Sequence, residues 1–148
     1  MVLTKQDLIN SGVLLEDTVT KQRSTLELLR YLTIMGPILV PSIKAGAFLV
    51  EEWGAAEAKA AAMDFDAVVK ALEAESAFYE QAVGAMTDEE LRGDIELFGV
   101  KSARGPLLVN LIVCGHAAYR TQLFCYLKSC GREELNTMNL WAGVDGSM

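Results

Sequence analysis

His116 is the residue best suited to chemistry in this 148-residue chain, because it is the single histidine. On a helix it flanks an apolar stripe beside Ile112 and Leu123. An imidazole there can serve as a hydrogen-bonded core group, a metal ligand or a general acid/base. The usual helical metal motif needs a second ligand four residues on, where this chain has Arg120, which cannot ligate a cation. Val113 occupies the carboxylate position of a Glu-x-x-His motif, and the chain has no HExxH or Cys/His cluster. His116 is therefore a weak metal candidate, and neither a cofactor nor a catalytic residue is predicted from the residues.

A second group of polar residues follows His116 on the same helix. Tyr119 and Gln122 fall on an otherwise apolar stripe, where a buried polar group needs a hydrogen-bond partner. Arg120 beside them can hold a carboxylate in bidentate fashion. These residues form either a hydrogen-bond network within the protein or part of a ligand pocket, and the sequence leaves both alternatives open.

The carboxylates of the central region are expected to face solvent. Glu73, Glu75 and Glu80 fall off the apolar stripe of their helix, so a solvated face is the simplest interpretation. Glu51 and Glu52, beside a tryptophan, are also expected to be exposed, although Glu51 could point inward.

The three cysteines are Cys114, Cys125 and Cys130. An odd number of cysteines without a secretory signal predicts free thiols. Cys114 and Cys125 on one helix lie about 16 Å apart, too far for a disulfide. We expect buried small side chains, with Cys130 the best candidate for a reactive thiol because it lies near a helix end.

The clearest helix is predicted over Asp64–Met86. Asp64 is a good N-cap residue, and Asp66 favours the first turn through the helix dipole. Steps of four and three residues, typical of a bundle seam, connect Phe65, Val69, Leu72, Ser76, Tyr79, Val83 and Met86. A short connecting helix should follow, because Thr87 and Glu90 have the spacing of a capping box.

A long fourth helix is predicted over Ala103–Cys130, with Gly131 as its C′ residue. One stripe contains Leu108, Ile112, Gly115, Tyr119, Gln122 and Tyr126. The opposite face contains Asn110, Thr121 and Lys128. Since the part between Leu107 and Tyr119 is almost entirely apolar, this helix should be mostly surrounded by protein.

A second helix should begin near Ser24. Gly36-Pro37 and Pro41 must kink or split it, because each proline lacks an N–H and clashes with the preceding turn. Helix is expected to resume over Ser42–Ala62, where alanine is dense.

The first helix is predicted from Thr4 through Asp7 to Ile9, with a break at Ser11-Gly12. No stretch alternates apolar and polar residues with the β-branched enrichment of a strand, so a sheet is excluded. The predicted fold is all-α, with four principal helices and a short connecting helix between the third and the fourth.

Composition limits the classes of function. Thirteen Lys and Arg against twenty Asp and Glu give a net charge of −7. Without a basic cluster, neither nucleic acid nor an anionic membrane surface is an expected partner.

The apolar stretches Ile34–Val50 and Leu107–Tyr119 fail as membrane spans, the first because of its prolines and lysine and the second because of its length. With no secretory signal and no linker, the chain is expected to be a single cytoplasmic domain, residues 1–148.

The stretch His116-Ala-Ala-Tyr-Arg-Thr-Gln-Leu123, followed by Tyr126-Leu-Lys128 and Gly131, resembles the fourth-helix signature of the DinB superfamily (DinB/YfiT-like bundles). Residues 72–91, ending in Met86-Thr-Asp-Glu-Glu-Leu91, are similar to that family's third helix and connector. The resemblance covers about the last ninety residues. It implies a four-helix bundle with up-down-down-up topology, a homodimer, and a pocket in which three histidines hold a divalent metal. Characterised members include metal-dependent thiol transferases and hydrolases.

The chain departs from the family at the metal ligands. Aligned on the family motif, Gly115 and Tyr119 occupy the positions of the two fourth-helix histidines. Tyr31 occupies the position of the histidine from the second helix. His116 is one residue out of register. One glycine and two tyrosines cannot form the usual site for zinc or nickel, so the resemblance implies a degenerate metal site unless the site is remodelled.

Two hypotheses of function follow. The first is a bundle without metal chemistry that binds a small molecule or acts as a structural, dimeric module. Its ligand pocket would be lined by Tyr31, His116, Tyr119, Arg120 and Gln122. The alternative is a metal-dependent hydrolase or thiol transferase with zinc or nickel in a remodelled site around His116.

Overall fold

The computed structural model describes residues 22–144. The first predicted helix, from Thr4 to Ile9, and its break at Ser11-Gly12 lie outside these residues. Of the described residues 73% are helical, and several long helices pack together with a small two-stranded hairpin. In chain order the elements are α1 (Thr25–Ala45), α2 (Val50–Ala61), α3 (Phe65–Gly84), α4 (Asp88–Arg92), β1 (Asp94–Leu97), β2 (Val100–Ala103), α5 (Arg104–Leu108), a π-helical segment (Val109–Cys114), α6 (Gly115–Ser129) and α7 (Thr137–Ala142).

Helix α1 continues through both of its prolines. Of the two predicted outcomes, a kink or a split, the split at Pro37 and Pro41 is wrong, because burial of apolar side chains such as Ile43 offsets the lost hydrogen bonds. The helix ends instead before Gly46, whose φ of +75° suits glycine. By length and mean hydropathy α1 is able to cross a bilayer, a property that buried core helices share, and 61% of its most apolar window is buried.

Local signals set the N-terminal ends of α3 and α4 as predicted, whereas α3 ends at Gly84 rather than at Met86. The backbone N–H of Ala67 donates to Asp64 Oδ1 at 2.9 Å, which confirms the N-cap. Thr87 and Glu90 form the predicted capping box at the start of the short connecting helix α4. Both caps satisfy backbone N–H groups that have no partner within the helix.

A β-hairpin follows α4, so the exclusion of any sheet is wrong. Strands β1 and β2 are antiparallel, with Asp94 opposite Ala103 and Leu97 opposite Val100. Phe98 and Gly99 form the two-residue turn, with φ of 53° and 75°, as in the tight turns that suit the twist of paired strands. The alternation of apolar and polar residues in β1 spans only four residues, too short to register as a period-two pattern.

The predicted fourth helix is present from Arg104 to Ser129, in three consecutive helical segments. Gly131 has the predicted positive φ, and the N–H groups of Gly131 and Arg132 donate to the carbonyls of Lys128 and Leu127, which is a Schellman motif. The π-helical segment was not predicted.

One face of this helix is open to solvent. The expectation that its apolar part is mostly surrounded by protein is wrong there, since Val109 and Val113 are exposed. Cys114 and Cys125 are also exposed and Cys130 is half-buried, so the thiols are free as predicted but not buried as predicted. The buried positions of the helix are Leu107, Leu108, Ile112, Leu123, Tyr126 and Leu127, and Cys114 and Cys125 are among the exposed ones.

The chain divides into two compact units. One is Leu29–His116, in which Val40, Ile43 and Val68 are almost completely buried. The other contains the described parts of Met1–Leu28 and Ala117–Met148. Its most buried side chains are those of Thr25, Leu28, Leu127 and Leu135.

Candidate functional site

Three polar side chains of the unit Leu29–His116 form a hydrogen-bonded cluster, called here the Glu75–Tyr79–His116 cluster. The Tyr79 hydroxyl lies 2.8 Å from His116 Nε2 and 3.2 Å from Glu75 Oε2. His116 Nε2 and Glu75 Oε2 are 3.8 Å apart. The tyrosine ring meets the imidazole edge-on. The single hydroxyl of Tyr79 therefore bridges a carboxyl group and an imidazole.

Helix α3 contributes Glu75 and Tyr79, which are one turn apart. Phe65 and Val68 are buried on the same helix, and steps of three and four residues from them reach Glu75. Glu75 is only 7% exposed, so the prediction that it lies on a solvated face is wrong. Ser76, placed on the predicted seam, is exposed instead. The buried stripe of α3 therefore passes through Glu75 rather than through Ser76.

The π-helical segment sets the direction of His116. In a π-helix each residue is rotated about the helix axis by roughly 80° from the one before, compared with about 100° in an α-helix. A residue that follows a π-helical segment therefore points in a different direction from the one it would have in a continuous α-helix. The rotation brings His116 close to the line of Leu108 and Ile112, both of which are buried. In a regular α-helix His116 would lie only at the flank of the stripe.

A glycine in α1 makes room for the tyrosine. A Cβ atom at Gly36 would lie 1.7 Å from the Tyr79 hydroxyl oxygen, so the hydroxyl lies directly against the backbone of α1. The predicted close approach at Gly115 is milder, since a Cβ there would lie 3.4 Å from Met35 Cε, an ordinary contact. Gly36 is thus the position where the packing of the cluster requires glycine.

Burial controls the charge of the cluster. It raises the pKa of Glu75 to about 7, although the hydrogen bond from Tyr79 acts in the opposite direction. It also raises the pKa of Tyr79 well above its usual range, helped by the charge and the hydrogen bond of Glu75. The pKa of His116 is lowered by burial. At neutral pH the imidazole and the phenol are therefore uncharged, and Glu75 is divided between its two protonation states.

This arrangement can move a proton. When Glu75 is protonated it can donate to the Tyr79 oxygen while Tyr79 donates to His116 Nε2. A carboxyl group with a pKa near neutrality is also suited to general acid–base work. Perturbed groups of this kind concentrate at functional sites.

The two ends of the cluster differ in their access to solvent. The His116 side chain is 32% exposed, whereas that of Glu75 is 9% exposed. Glu75 Oε1 is buried and has no hydrogen-bond partner among residues 22–144. Glu75 Oε1 is therefore a buried acceptor that a hydrogen-bond donor on a ligand could satisfy.

Of the five residues of the predicted pocket, Tyr31 and His116 belong to the unit Leu29–His116, and Tyr119, Arg120 and Gln122 belong to the other unit. Tyr31 packs edge-on against Trp53, with ring centroids 5.7 Å apart. Tyr119 is half-buried. Arg120 is also half-buried, and its Nε has no hydrogen-bond partner within the described part of the chain.

Gln122 donates to the hydroxyl of Tyr126, which donates to the carbonyl of Arg23 at 2.9 Å. This network belongs to the unit that contains Ala117–Met148. Among the predicted pocket residues, His116 is a member of the cluster.

Sequence reasoning missed Glu75 and Tyr79 as functional residues. The available signal was the alternative stripe Phe65, Val68, Leu72, Glu75 and Tyr79, which has the same 3-4 spacing as the one chosen. That stripe places a carboxylate on the buried side of the helix, which is unusual enough to indicate a site.

The cluster does not fit the three-nitrogen metal site that the family resemblance implies. In the described part of the chain no group of three or more His, Cys, Asp or Glu side chains is placed to hold a metal ion. Tyr79 could ligate a cation only as a phenolate, and its raised pKa opposes that form.

Comparisons with protein families, with curated proteins and with solved structures give no match for this chain. The geometry of the cluster therefore carries the argument about function.

Proposed function

We propose that this protein is a helical bundle of the DinB-like type that binds a small polar molecule at the Glu75–Tyr79–His116 cluster without a metal ion. The observation that carries the proposal is the buried Oε1 of Glu75, which lacks a hydrogen-bond partner among residues 22–144 while Oε2 is bound by Tyr79.

The energetics favour a ligand over a purely structural network. A buried polar atom without a partner costs about 1–3 kcal/mol, and an apolar side chain at position 75 would avoid that cost. The Tyr79 hydroxyl requires glycine at position 36, and glycine in a helix costs about 1 kcal/mol relative to alanine where alanine fits. A site that keeps both features gives up stability, which is typical of positions retained for binding or catalysis.

A fragment screen by protein-observed NMR tests the proposal. Hits on the wild-type protein should be lost or strongly weakened in Tyr79→Phe, because this change removes both hydrogen bonds that hold the cluster together. Tyr126→Phe is the matched control, since its hydroxyl is also hydrogen-bonded but lies in the other unit. Hits that survive Tyr79→Phe, or the absence of any hit, would reject the site.

The alternative proposal is a metal-dependent hydrolase or thiol transferase with a remodelled site. It is supported by one nitrogen and one oxygen atom that lie close together and could both bind a metal ion. His116 Nε2 and Glu75 Oε2 are 3.8 Å apart. Elemental analysis of protein purified without a histidine tag separates the two proposals. Stoichiometric zinc or nickel that is lost in His116→Ala would replace the metal-free proposal.

A further inference from the structure

The carboxyl group of Glu75 is the acidic end of the cluster, and the structure gives it few partners. Tyr79 donates to Oε2, and among residues 22–144 Oε1 has no hydrogen-bond partner. The nearby nitrogen is His116 Nε2 at 3.8 Å, and it already shares a short hydrogen bond with Tyr79. When Glu75 ionises, the described residues give its negative charge one hydrogen bond, from Tyr79, and no charged partner.

Within residues 22–144, the elements that meet at the cluster supply no compensating charge. Helix α3 contributes Tyr79, α6 contributes His116, and α1 contributes the backbone at Gly36. Tyr79 is the one side chain in the described part of the chain that lowers the pKa of Glu75, and burial outweighs it. Burial keeps His116 in its neutral form at neutral pH.

We propose that the molecule bound at the cluster carries a small organic cation with N–H donors, such as a primary ammonium group, which donates to Glu75 Oε1. This inference rests on the proposed function, because it names the ligand class for the same site. An ammonium group supplies both the missing donor and the missing charge. A neutral ligand supplies at most the donor, and an anionic ligand would face the carboxylate.

Three probes of similar size test the charge of the ligand: propylammonium, 1-propanol and propionate. Binding is measured on the full chain by protein-observed NMR at about one pH unit above the Glu75 pKa of about 7. Propylammonium should bind the wild-type protein and bind Glu75→Gln at least about tenfold more weakly, because the amide keeps the shape and loses the charge. Equal or tighter binding of 1-propanol or propionate would overturn the inference, as would unchanged binding of propylammonium to Glu75→Gln.

A pH series on the unmodified protein gives a second test that needs no substitution. Since ammonium binds the ionised carboxylate, its affinity should rise about tenfold from one pH unit below the pKa of Glu75 to one unit above. Binding at the pKa itself should also release about half a proton, measured by calorimetry in buffers of different ionisation enthalpy. An affinity that falls or stays constant over this range overturns the inference.

Failure of this inference differs from failure of the proposed function. If fragments bind in a Tyr79-dependent way but most of them are neutral or anionic, the proposed binding site is supported and the inference that its ligand is a cation is wrong. If no fragment binds at the cluster, the proposed function is wrong and the inference fails with it.

Discussion

Gly36 and Tyr79 lie so close that no other residue type fits at position 36 without moving the tyrosine. A Cβ atom at Gly36 would be 1.7 Å from the Tyr79 hydroxyl oxygen and 2.5 Å from Cζ. The hydroxyl in turn holds His116 Nε2 at 2.8 Å. A glycine in α1 therefore determines whether the polar groups of α3 and α6 can meet.

Gly36→Ala should displace the Tyr79 hydroxyl and break its hydrogen bond to His116. We expect a loss of about 1–3 kcal/mol in the free energy of unfolding, even though alanine is the better helix former by about 1 kcal/mol. Urea unfolding of the variant and the wild type measures this difference. The imidazole signals of His116 should shift at the same time.

A double-mutant cycle isolates the contact. In a Tyr79→Leu background, Gly36→Ala should be neutral or stabilising by up to about 1 kcal/mol, because the leucine has no atoms where the hydroxyl was. The same destabilisation in both backgrounds would show that the cost at position 36 has another origin.

The free energy of unfolding should depend on pH through Glu75. Its pKa is about 7 in the folded protein and 4.5 in a model peptide, so between these values the folded state binds more protons than the unfolded state. The stabilising contribution of Glu75 is complete below about pH 4.5 and is lost as the pH rises to about 7. In Glu75→Gln this loss cannot occur.

We therefore expect the stability of Glu75→Gln relative to wild type to increase by about 2–3 kcal/mol from about pH 4.5 to just above pH 7. His116 acts in the opposite direction, because its lowered pKa adds stability as the pH rises, but it is present in both proteins and cancels in the difference. Urea titrations across this range measure the difference, and a constant value would show that Glu75 is not buried as described.

Arg104 connects the ends of two helices. Its Nε donates to the carbonyl oxygens of Ile43 at 3.1 Å and Lys44 at 3.3 Å, in the last turn of α1, and its Nη1 donates to the carbonyl of Gly93. Arg104→Met should cost about 1–3 kcal/mol, because helix-end carbonyls lose a charged donor.

Arg92→Met is the control for this prediction. Arg92 pairs with Asp88 at 3.0 Å, but both side chains are more than four-fifths exposed. Its replacement should change the free energy of unfolding by less than about 0.5 kcal/mol. Chemical denaturation of the two variants should separate them clearly, and similar values would contradict the assigned role of Arg104.

The sequence predicts helix ends well because their signals are local. Asp64, Thr87 and Gly131 each act on backbone groups within a few residues, and each does so in the structure. The split at the prolines of α1 does not occur, because their cost is local whereas the burial that offsets it comes from distant residues. The hairpin was missed because strands of four residues show too little periodicity.

The candidate site was only half predictable for a similar reason. His116 is conspicuous as the single histidine, but its partners depend on how α3 faces it and on a π-helical segment that changes the register. Two stripes on α3 share the residues Phe65, Leu72 and Tyr79. One stripe passes through Ser76 and leaves Glu75 in solvent, and the other passes through Glu75 and buries it. Only the packing of the helix decides between the two stripes.

The last prediction concerns the thiols. Cys114 and Cys125 are exposed whereas Cys130 is half-buried, and none of the three is in a disulfide. A short pulse of iodoacetamide on the native protein, followed by peptide mass spectrometry, should label Cys114 and Cys125 well before Cys130, because access limits alkylation of a buried thiol. Labelling in urea is the control and should make the three rates similar. Faster labelling of Cys130 in the native protein would contradict access as the factor that sets the order and would support the reactive helix-end thiol expected from the sequence.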